Sequence, residues 1–548
     1  MSILDLLKLN DAQKAAATAP GDVVVTAGAG SGKTRTLVAR YLALLDAGVP
    51  LDAVVAITFT VKAAREMRTR IRQTITQWLA TGDATGAEAA RWRDAFAALD
   101  AAPIGTIHSL CAQILRTHPV EAARLGHQPG FGVLEEGRAA VLKARAVEAA
   151  LVWSAGDEAA AQLFGLLSEN GLRRVVTVLL EQRLDADAAF ARLTDDPLQG
   201  WSEAVGGWLR TTLRQPGWQA PLATFAELQA DDPVDKMELA RQEVLAHAGA
   251  VDEALAHGRL TAALAELAAL RSATTLYGRK GNWPGETLET MKEATRALRE
   301  FFDAQLKPLA DPKRGAAWDL DEAAAGAVWA LHAVCRRAVE VYAQARQVEN
   351  ALDFDDLEAG ALTLLQDADV RAFWQAKVQA VLVDEFQDTN ERQREIVYAL
   401  SGFTPRASRP GEGSLFVVGD AKQSIYRFRG ADVTVFRRVQ DDVVRAGGRA
   451  HALDVTFRPH RALVTTLHRL LAPLLDKLAR PGRPYAVPFA PLTPATISRA
   501  RFSTAETSCH VSSSSPALMC AERMGINEVA RALPATTVKR PSGSSKAA

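Results

Sequence analysis

The sequence is poor in cysteine. Cys111, Cys335, Cys509 and Cys520 lie far apart, with no C-x-x-C pair and no histidine at ligand spacing, which argues against a structural zinc site, an iron-sulfur cluster or a disulfide scaffold. A reducing cytoplasm suits such a chain. Excess charge is missing as well: 64 Lys and Arg balance 64 Asp and Glu. No overall positive field advertises a nucleic-acid partner, so any such contact has to be a local groove. Long apolar runs are also absent, and the opening MSILDLLKLN has no basic stretch ahead of its short apolar run. Neither a membrane span nor a secretory signal is expected. Core material is plentiful: 48% of the 548 residues are hydrophobic, enough for about three or four domains.

From Asp22 to about Arg72 the pattern runs strand, Gly-rich turn, helix, strand, helix, with apolar runs VVVTA and AVVAITF on either side of an amphipathic segment. That is the opening of an α/β domain with a parallel sheet. From about Ala139 to Leu352 strand signals vanish. Ala, Leu, Arg and Glu recur at helical spacing, broken by a Gly/Pro loop from Tyr277 to Gly285, which predicts a helical insertion. Strand signals return at Ala380–Val383, Leu415–Val418 and His451–Val455, each followed by polar residues and a helical pattern.

Ala27-Gly-Ala-Gly-Ser-Gly-Lys-Thr34 follows a β-branched strand and opens a helix, the setting that a phosphate-binding loop needs. Backbone N–H groups and the helix N-terminus cradle phosphates there. Lys33 is expected to reach the β- and γ-phosphates and Thr34 to ligate magnesium. Gly28, Gly30 and Gly32 let the backbone approach, with Ala27, Ala29 and Ser31 completing the loop. The second element is AVLVDEFQD, which sets Asp384 and Glu385 directly after a buried-looking strand. One carboxylate is suited to hold magnesium and the other to polarise a water. A lone acidic pair after a strand is ordinarily a solvated turn; behind a phosphate loop it becomes the other half of an NTP-hydrolysing site.

Seven motifs then stand in order: LNDAQ (Leu9 to Gln13), AGAGSGKTRTL (Ala27 to Leu37), ITFTVKAAREMRTRI (Ile57 to Ile71), IGTIHSL (Ile104 to Leu110), VLVDEFQDTNERQ (Val381 to Gln393), VVGDAKQSIYRFRGAD (Val417 to Asp432) and LDVTFRP (Leu453 to Pro459). In these the chain resembles the UvrD/RecB/AddA-like superfamily 1 DNA helicases. The resemblance implies a RecA-like P-loop NTPase domain with a parallel sheet, a large inserted α-helical domain and an incomplete second RecA-like domain. It implies that Gln13 reads the adenine edge and that Arg35 and Phe457 flank the base. Gln423 would sense the γ-phosphate, and Arg458 would reach it across a domain cleft. An arginine so supplied stabilises charge in the phosphoryl-transfer transition state.

A translocase holds a strand without reading it, by aromatic platforms beside polar backbone contacts. Phe59 and Phe428 each follow a predicted strand at the edge where a parallel sheet forms its ligand sites. The resemblance assigns both to base stacking and adds Thr58, Thr60, His108, Tyr426 and Arg429 as strand contacts or couplers. It further implies ATP and Mg2+ as cofactors, single-stranded DNA and DNA ends as partners, 3′-to-5′ movement in DNA repair and recombination, and a RecC- or AddB-like subunit. The cytoplasm is the expected compartment.

The domain expectations are residues 1–125 and 351–445 for the first RecA-like domain, 126–350 for the helical insertion, 446–496 for the start of a truncated second domain, and 497–548 for a disordered tail. Past Pro459 the family's KGLE-type and TRA-type motifs do not follow, and no family likeness continues after about Thr496. The alternative function is therefore a form that binds ATP and single-stranded DNA but turns over poorly. Asp353, Asp355 and Asp356 in LDFDDLE read as acids entering a helix rather than as a metal site. Trp201, Trp208, Trp218 and Trp329 fall in the helical stretch, most of them expected in its core.

Overall fold

A computed structural model describes residues 2–311, 315–316, 318–405, 415–427, 430–458, 461–478, 486–487 and 489–495. Six short strands rich in valine form one sheet: β1 (Val23–Ala27), β2 (Val54–Thr58), β3 (Ile104–Thr106), β4 (Ala380–Val383), β5 (Leu415–Gly419) and β6 (Arg449–Leu453). Their spatial order is β6-β1-β5-β4-β2-β3, and every pairing is parallel.

Successive side chains of a strand point to opposite faces, and a parallel sheet buries both. Val24, Val55, Ile57, Val381, Val383 and Val417 accordingly enter one apolar core. Their neighbours Val23, Val25, Val54, Ala56, Leu382 and Val418 enter another. Helices α1 (Asp11–Thr18), α2 (Lys33–Asp46) and α3 (Val61–Thr81) close the second core through residues such as Ala16, Leu42 and Ile71. Helices α4 (Ile107–Thr117), α5 (Phe354–Gln366), α6 (Glu391–Ser401) and α7 (Val433–Arg445) close the first through Ile114, Leu364, Ile396 and Phe436. The result is three layers, helix on sheet on helix.

The chain leaves this body at Gly132–Val133 and returns at Ala351–Leu352, and those two segments pair in parallel, side by side. Between them, among the described residues, it is mostly helical, from Glu136–Gly156 to Trp318–Val348. Two further apolar cores form there, one around Val147, Val176 and Tyr342, the other around Leu209, Leu264 and Phe302. Trp218 is buried in the latter and Trp201 packs against it, while Trp208 and Trp329 stay exposed.

One boundary differs from expectation. Arg449–Leu453 falls beyond residue 445, where a second domain was expected to begin, yet it is the sixth strand of the same sheet, paired along the whole of β1 from Val23↔Arg449 to Ala27↔Leu453. A strand's pattern shows which of its faces is buried but not which neighbour it pairs with, so sequence alone could not place it. Residues 497–548 lie outside the described residues.

Candidate active site and strand platform

All six strands end at one edge, and the chain beyond each end carries site residues: the glycine loop after β1, Phe59 after β2, His108 after β3, Asp384 after β4, Gln423 after β5 and Arg458 after β6. This is the edge where open parallel sheets bind ligands.

Loop and helix are matched. Side chains cap α3 (Thr60 accepts from Ala63 N–H), α4 (Thr106 from Ser109 N–H), α6 (Asn390 from Gln393 N–H) and α7 (Asp432 from Thr434 N–H). Helix α2 begins instead at Gly32, with no side-chain cap. The N–H groups of its first turn are thus left for a ligand, and anions suit that end of the helix dipole. Gly30 and Gly32 have φ of +76° and +90°, a region where other residues are strained. A Cβ at Gly30 would stand 2.7 Å from Arg458 Cβ, and one at Gly32 would stand 2.5 Å from Gln13 Nε2.

A cleft of about 470 Å³ opens above this loop, lined by Gln13, Ala29, Gly30, Gly32, Lys33, Thr34, Arg35, Glu385, Gln423, Phe457 and Arg458, together with Arg70. Eleven residues from five separate motifs therefore meet in one cavity. Lys33 Nζ donates to Glu385 Oε2 at 2.6 Å and to Gln423 Oε1 at 3.1 Å. Gln423 Nε2 in turn donates to Asp420 Oδ2 at 2.6 Å. Gln13, fully buried, donates from Nε2 to Ser31 O at 2.8 Å, and its Oε1 accepts the Asn10 N–H, so it braces the loop as well as facing the cleft.

Opposite the loop, Thr456 Oγ1 donates to Ala29 O at 2.8 Å and Phe457 N–H donates to Gly30 O at 3.0 Å. These two bonds hold Phe457 and Arg458, both exposed, against the rim. Ala27 and Ser31 do not line the cleft: Ala27 is buried at the end of β1, and Ser31 Oγ donates to Gly28 O at 2.7 Å. Gly28 lies beneath the Leu492 side chain.

Asp384 sits just behind the cleft wall and is only 7% exposed. Burial pushes its carboxyl up to about 6, and the neighbouring Glu385 charge pushes the same way, against the pull of Lys33. Glu385 itself adopts φ 50°, ψ 45°, left-handed backbone that costs a non-glycine residue about 1–2 kcal/mol. Strain of this kind persists where surrounding contacts over-determine the chain. A hydroxyl at Thr34 and a carboxylate at Asp384 make an all-oxygen donor set. That suits Mg2+, which takes one or two protein ligands and keeps phosphate and water for the rest.

The residues expected to contact a strand follow β2, β3 and β5 at the same edge. The Phe59 and Tyr426 rings lie 4.6 Å apart at 31°. Thr58 is buried, its Oγ1 donating to Thr60 O, whereas Thr60 is exposed. His108 Nε2 lies 3.1 Å from Glu358 Oε1, and its ring stacks on Phe354 with centroids 4.1 Å apart at 19°. Phe428 and Arg429 lie outside the described residues.

Two residues escaped sequence reasoning. Arg70 stands in the motif from Ile57 to Ile71 but was given no role there; from α3 it lines the cleft beside the loop. Phe354 was hidden inside an acidic run, and its single signal was an aromatic at the first helical position, where it remains exposed.

A glycine loop with its lysine, and an acidic pair on a nearby strand of the same parallel sheet, define the P-loop nucleoside triphosphatase class. Within it, the model of the UvrD/REP helicase N-terminal domain matches residues 9–444, and the chain belongs to that family. It is similar to an ATP-dependent helicase/nuclease subunit of Limosilactobacillus fermentum, 28% identical over 524 residues that cover 86% of this chain and 37% of that protein. The protein of the same name from Levilactobacillus brevis is 28% identical over 502 residues, covering 83% and 38%. That from Geobacillus thermodenitrificans is 27% identical over 525 residues, covering 85% and 39%. The chain thus spans about two fifths of the length of these curated relatives. Among the described residues no helix is long and apolar enough to cross a membrane.

Proposed function

We propose that this chain is the ATP-hydrolysing, strand-gripping part of a DNA helicase, which couples hydrolysis to 3′-to-5′ movement along single-stranded DNA during repair of DNA ends. One observation carries the reading: Lys33 reaches both Glu385 and Gln423, and three residues beyond Gln423 the Tyr426 ring packs on Phe59. Nucleotide chemistry and strand hold share one loop. The relatives' names, each a helicase/nuclease subunit, support assignment to a helicase/nuclease assembly; a RecC- or AddB-like subunit as partner rests on the family resemblance alone. The domain reading that goes with it is a RecA-like body at 1–125 and 351–445 extended by β6, a helical insertion at 126–350, and the start of a second RecA-like body beyond β6.

In this mechanism Lys33 exchanges Glu385 and Gln423 for the β- and γ-phosphate oxygens of ATP. Thr34 and Asp384 would hold Mg2+, which when bound would supply neutralisation of the phosphate charge. Glu385, released from the lysine, accepts a proton from the attacking water as its oxygen bonds the γ-phosphorus and the bond to the β-phosphate oxygen breaks, giving ADP and phosphate. Gln13 and Arg35 hold the base with Phe457, and Arg458 and Gln423 meet the γ-phosphate. Phe59 and Tyr426, with Phe428, stack bases, and Thr60, His108 and Arg429 contact the strand. Thr58 supports that platform from beneath, its hydroxyl bonded to Thr60 O.

The test is ATP hydrolysis by the purified chain with and without oligo(dT). Addition of DNA is expected to raise the rate, and Phe59→Ala to weaken DNA binding by about 1–3 kcal/mol, the worth of one stacked base. An unchanged rate on adding DNA removes the motor reading.

A further inference from the structure

Gln387 lines no part of the nucleotide cleft and is 1% exposed, yet every polar group of its side chain is used. Its Nε2 donates to Glu385 Oε2 at 2.8 Å and to Asp388 Oδ2 at 3.0 Å. Its Oε1 accepts the Asp420 N–H at 2.8 Å, and its backbone carbonyl accepts Ser424 Oγ at 3.0 Å. Close packing fixes it further: a Cβ on Gly419, the last residue of β5, would stand 2.9 Å from Gln387 Oε1.

The amide therefore grips the carboxylate that Lys33 holds, and with its other end it grips the loop that runs on to Tyr426. Neighbouring bonds stitch the same two segments together, Asp388 accepting the Ile425 N–H and Thr389 O accepting the Asp432 N–H at 3.0 Å. Two routes thus connect Lys33 to the strand platform. One passes through Gln423 and Asp420 at the cleft wall. The other passes through Glu385 and Gln387 beneath it.

We infer that Gln387 is a positioning residue that transmits the state of Glu385 to the Asp420–Tyr426 loop, so that nucleotide binding changes the affinity for single-stranded DNA. The inference rests on the function proposed above. Displacement of Lys33 by phosphate frees one lone pair of Glu385 Oε2 while the Gln387 N–H bond remains. Any shift of that carboxylate is then carried to Asp420 and Ser424 through a buried amide with no freedom to rotate away. A chain of buried hydrogen bonds in low dielectric transmits such a shift because breaking any member costs more than moving it.

The measurement is a linkage: the Kd of a fluorescent oligo(dT) for the whole chain, by anisotropy, with and without Mg2+ and a non-hydrolysable ATP analogue. Coupling between two sites typically amounts to about 5- to 150-fold in Kd, and the parent is expected to fall in that range. Gln387→Met keeps the volume and loses all three side-chain bonds, to Glu385, Asp388 and Asp420. Gln387→Glu keeps an acceptor for the Asp420 N–H and loses the donor to Glu385. Both are expected to bind each ligand alone within about threefold of the parent while the coupling ratio falls to within about twofold of 1. A merely structural role would weaken both ligands and leave the ratio alone, and a Gln387→Met ratio equal to the parent's overturns the inference. Should the Met variant not fold, the Glu variant decides by the same criterion. A ratio of 1 in the parent removes the proposed function and this inference with it, whereas a coupled parent with coupled variants removes only the inference.

Discussion

Two clusters of carboxylates and cations sit at the ends of acidic runs that look alike in the sequence, LDFDDLE and LVDEFQD, and their fates differ. In the first, Arg183 from the helical stretch donates four hydrogen bonds at 2.7–2.9 Å to Asp353, Asp355 and Asp356. Tyr342 adds a bond to Asp353, and Arg346 pairs with Asp356. Asp353 and Asp356 also form the reciprocal cap of α5. Although burial raises the Asp353 carboxyl, the Arg183 bonds and charge outweigh it and hold it below the ordinary range. In the second, Lys33 is shared between Glu385 and Gln423, Asp384 is pushed up to about 6, Glu385 is strained, and the whole faces a cleft. A saturated cluster fastens elements together. An under-compensated one at a cavity keeps its capacity for a ligand.

This contrast can be broken by measurement. The largest expected effect is at the saturated cluster: Arg183→Met takes the main cation from the buried Asp353 and from the partly buried Asp355 and Asp356, and removing one partner of a buried pair costs about 3–5 kcal/mol. Urea unfolding followed by circular dichroism reads it directly, and a loss below about 1 kcal/mol would class Arg183 with surface pairs. Next comes Asp384→Asn, with the opposite sign. The folded chain holds that proton up to about pH 6 and the unfolded chain only to about 3.8, so stability falls as pH climbs through this window and the deficit is complete above it. The substitution is expected to stabilise the protein at pH 7 by up to about 3 kcal/mol, and the gain should vanish below about pH 4. Melting temperatures of both forms against pH test this, and an Asn form less stable at pH 7 refutes it.

The smallest effect on folding is expected from Lys33→Ala. Glu385 is about a third exposed and keeps its Gln387 donor, so stability should change by less than about 1 kcal/mol. Nucleotide affinity should nevertheless fall about 10- to 100-fold, since hydrogen bonds to charged groups are worth about 1.5–3 kcal/mol. Calorimetric titration with an ATP analogue separates the two quantities. Equal losses of folding and binding would make this cluster structural like the other.

Much of the site could be read from residue order because its parts are local. A phosphate loop needs consecutive N–H groups, glycines at particular turns and a helix start, all within Ala27 to Thr34. The acidic pair likewise needs only a buried strand before it. Eleven residues named from sequence do line one cleft. The reading of Asp353, Asp355 and Asp356 as helix-entry acids matches the cap at α5, but their main partner lay hidden, since Arg183 stands 170 residues away from Asp353. Thr58, grouped with the strand contacts, is buried under Thr60, because β2 is buried along its whole length, to which Thr58 belongs as its last residue.

By itself the sequence determined the chemistry on offer: a loop shaped for phosphate, carboxylates and a lysine at motif spacing, and valine-rich strands fit only for a sheet buried on both faces. Tertiary structure decided which charges compensate one another, that β6 closes beside β1, that Arg70 turns toward the phosphate loop, and that Gln387 bridges two motifs. The reason is physical. Backbone conformation and burial pattern are set by neighbours along the chain, whereas electrostatic compensation depends on distances through space between residues whose separation in sequence carries no information about their contact.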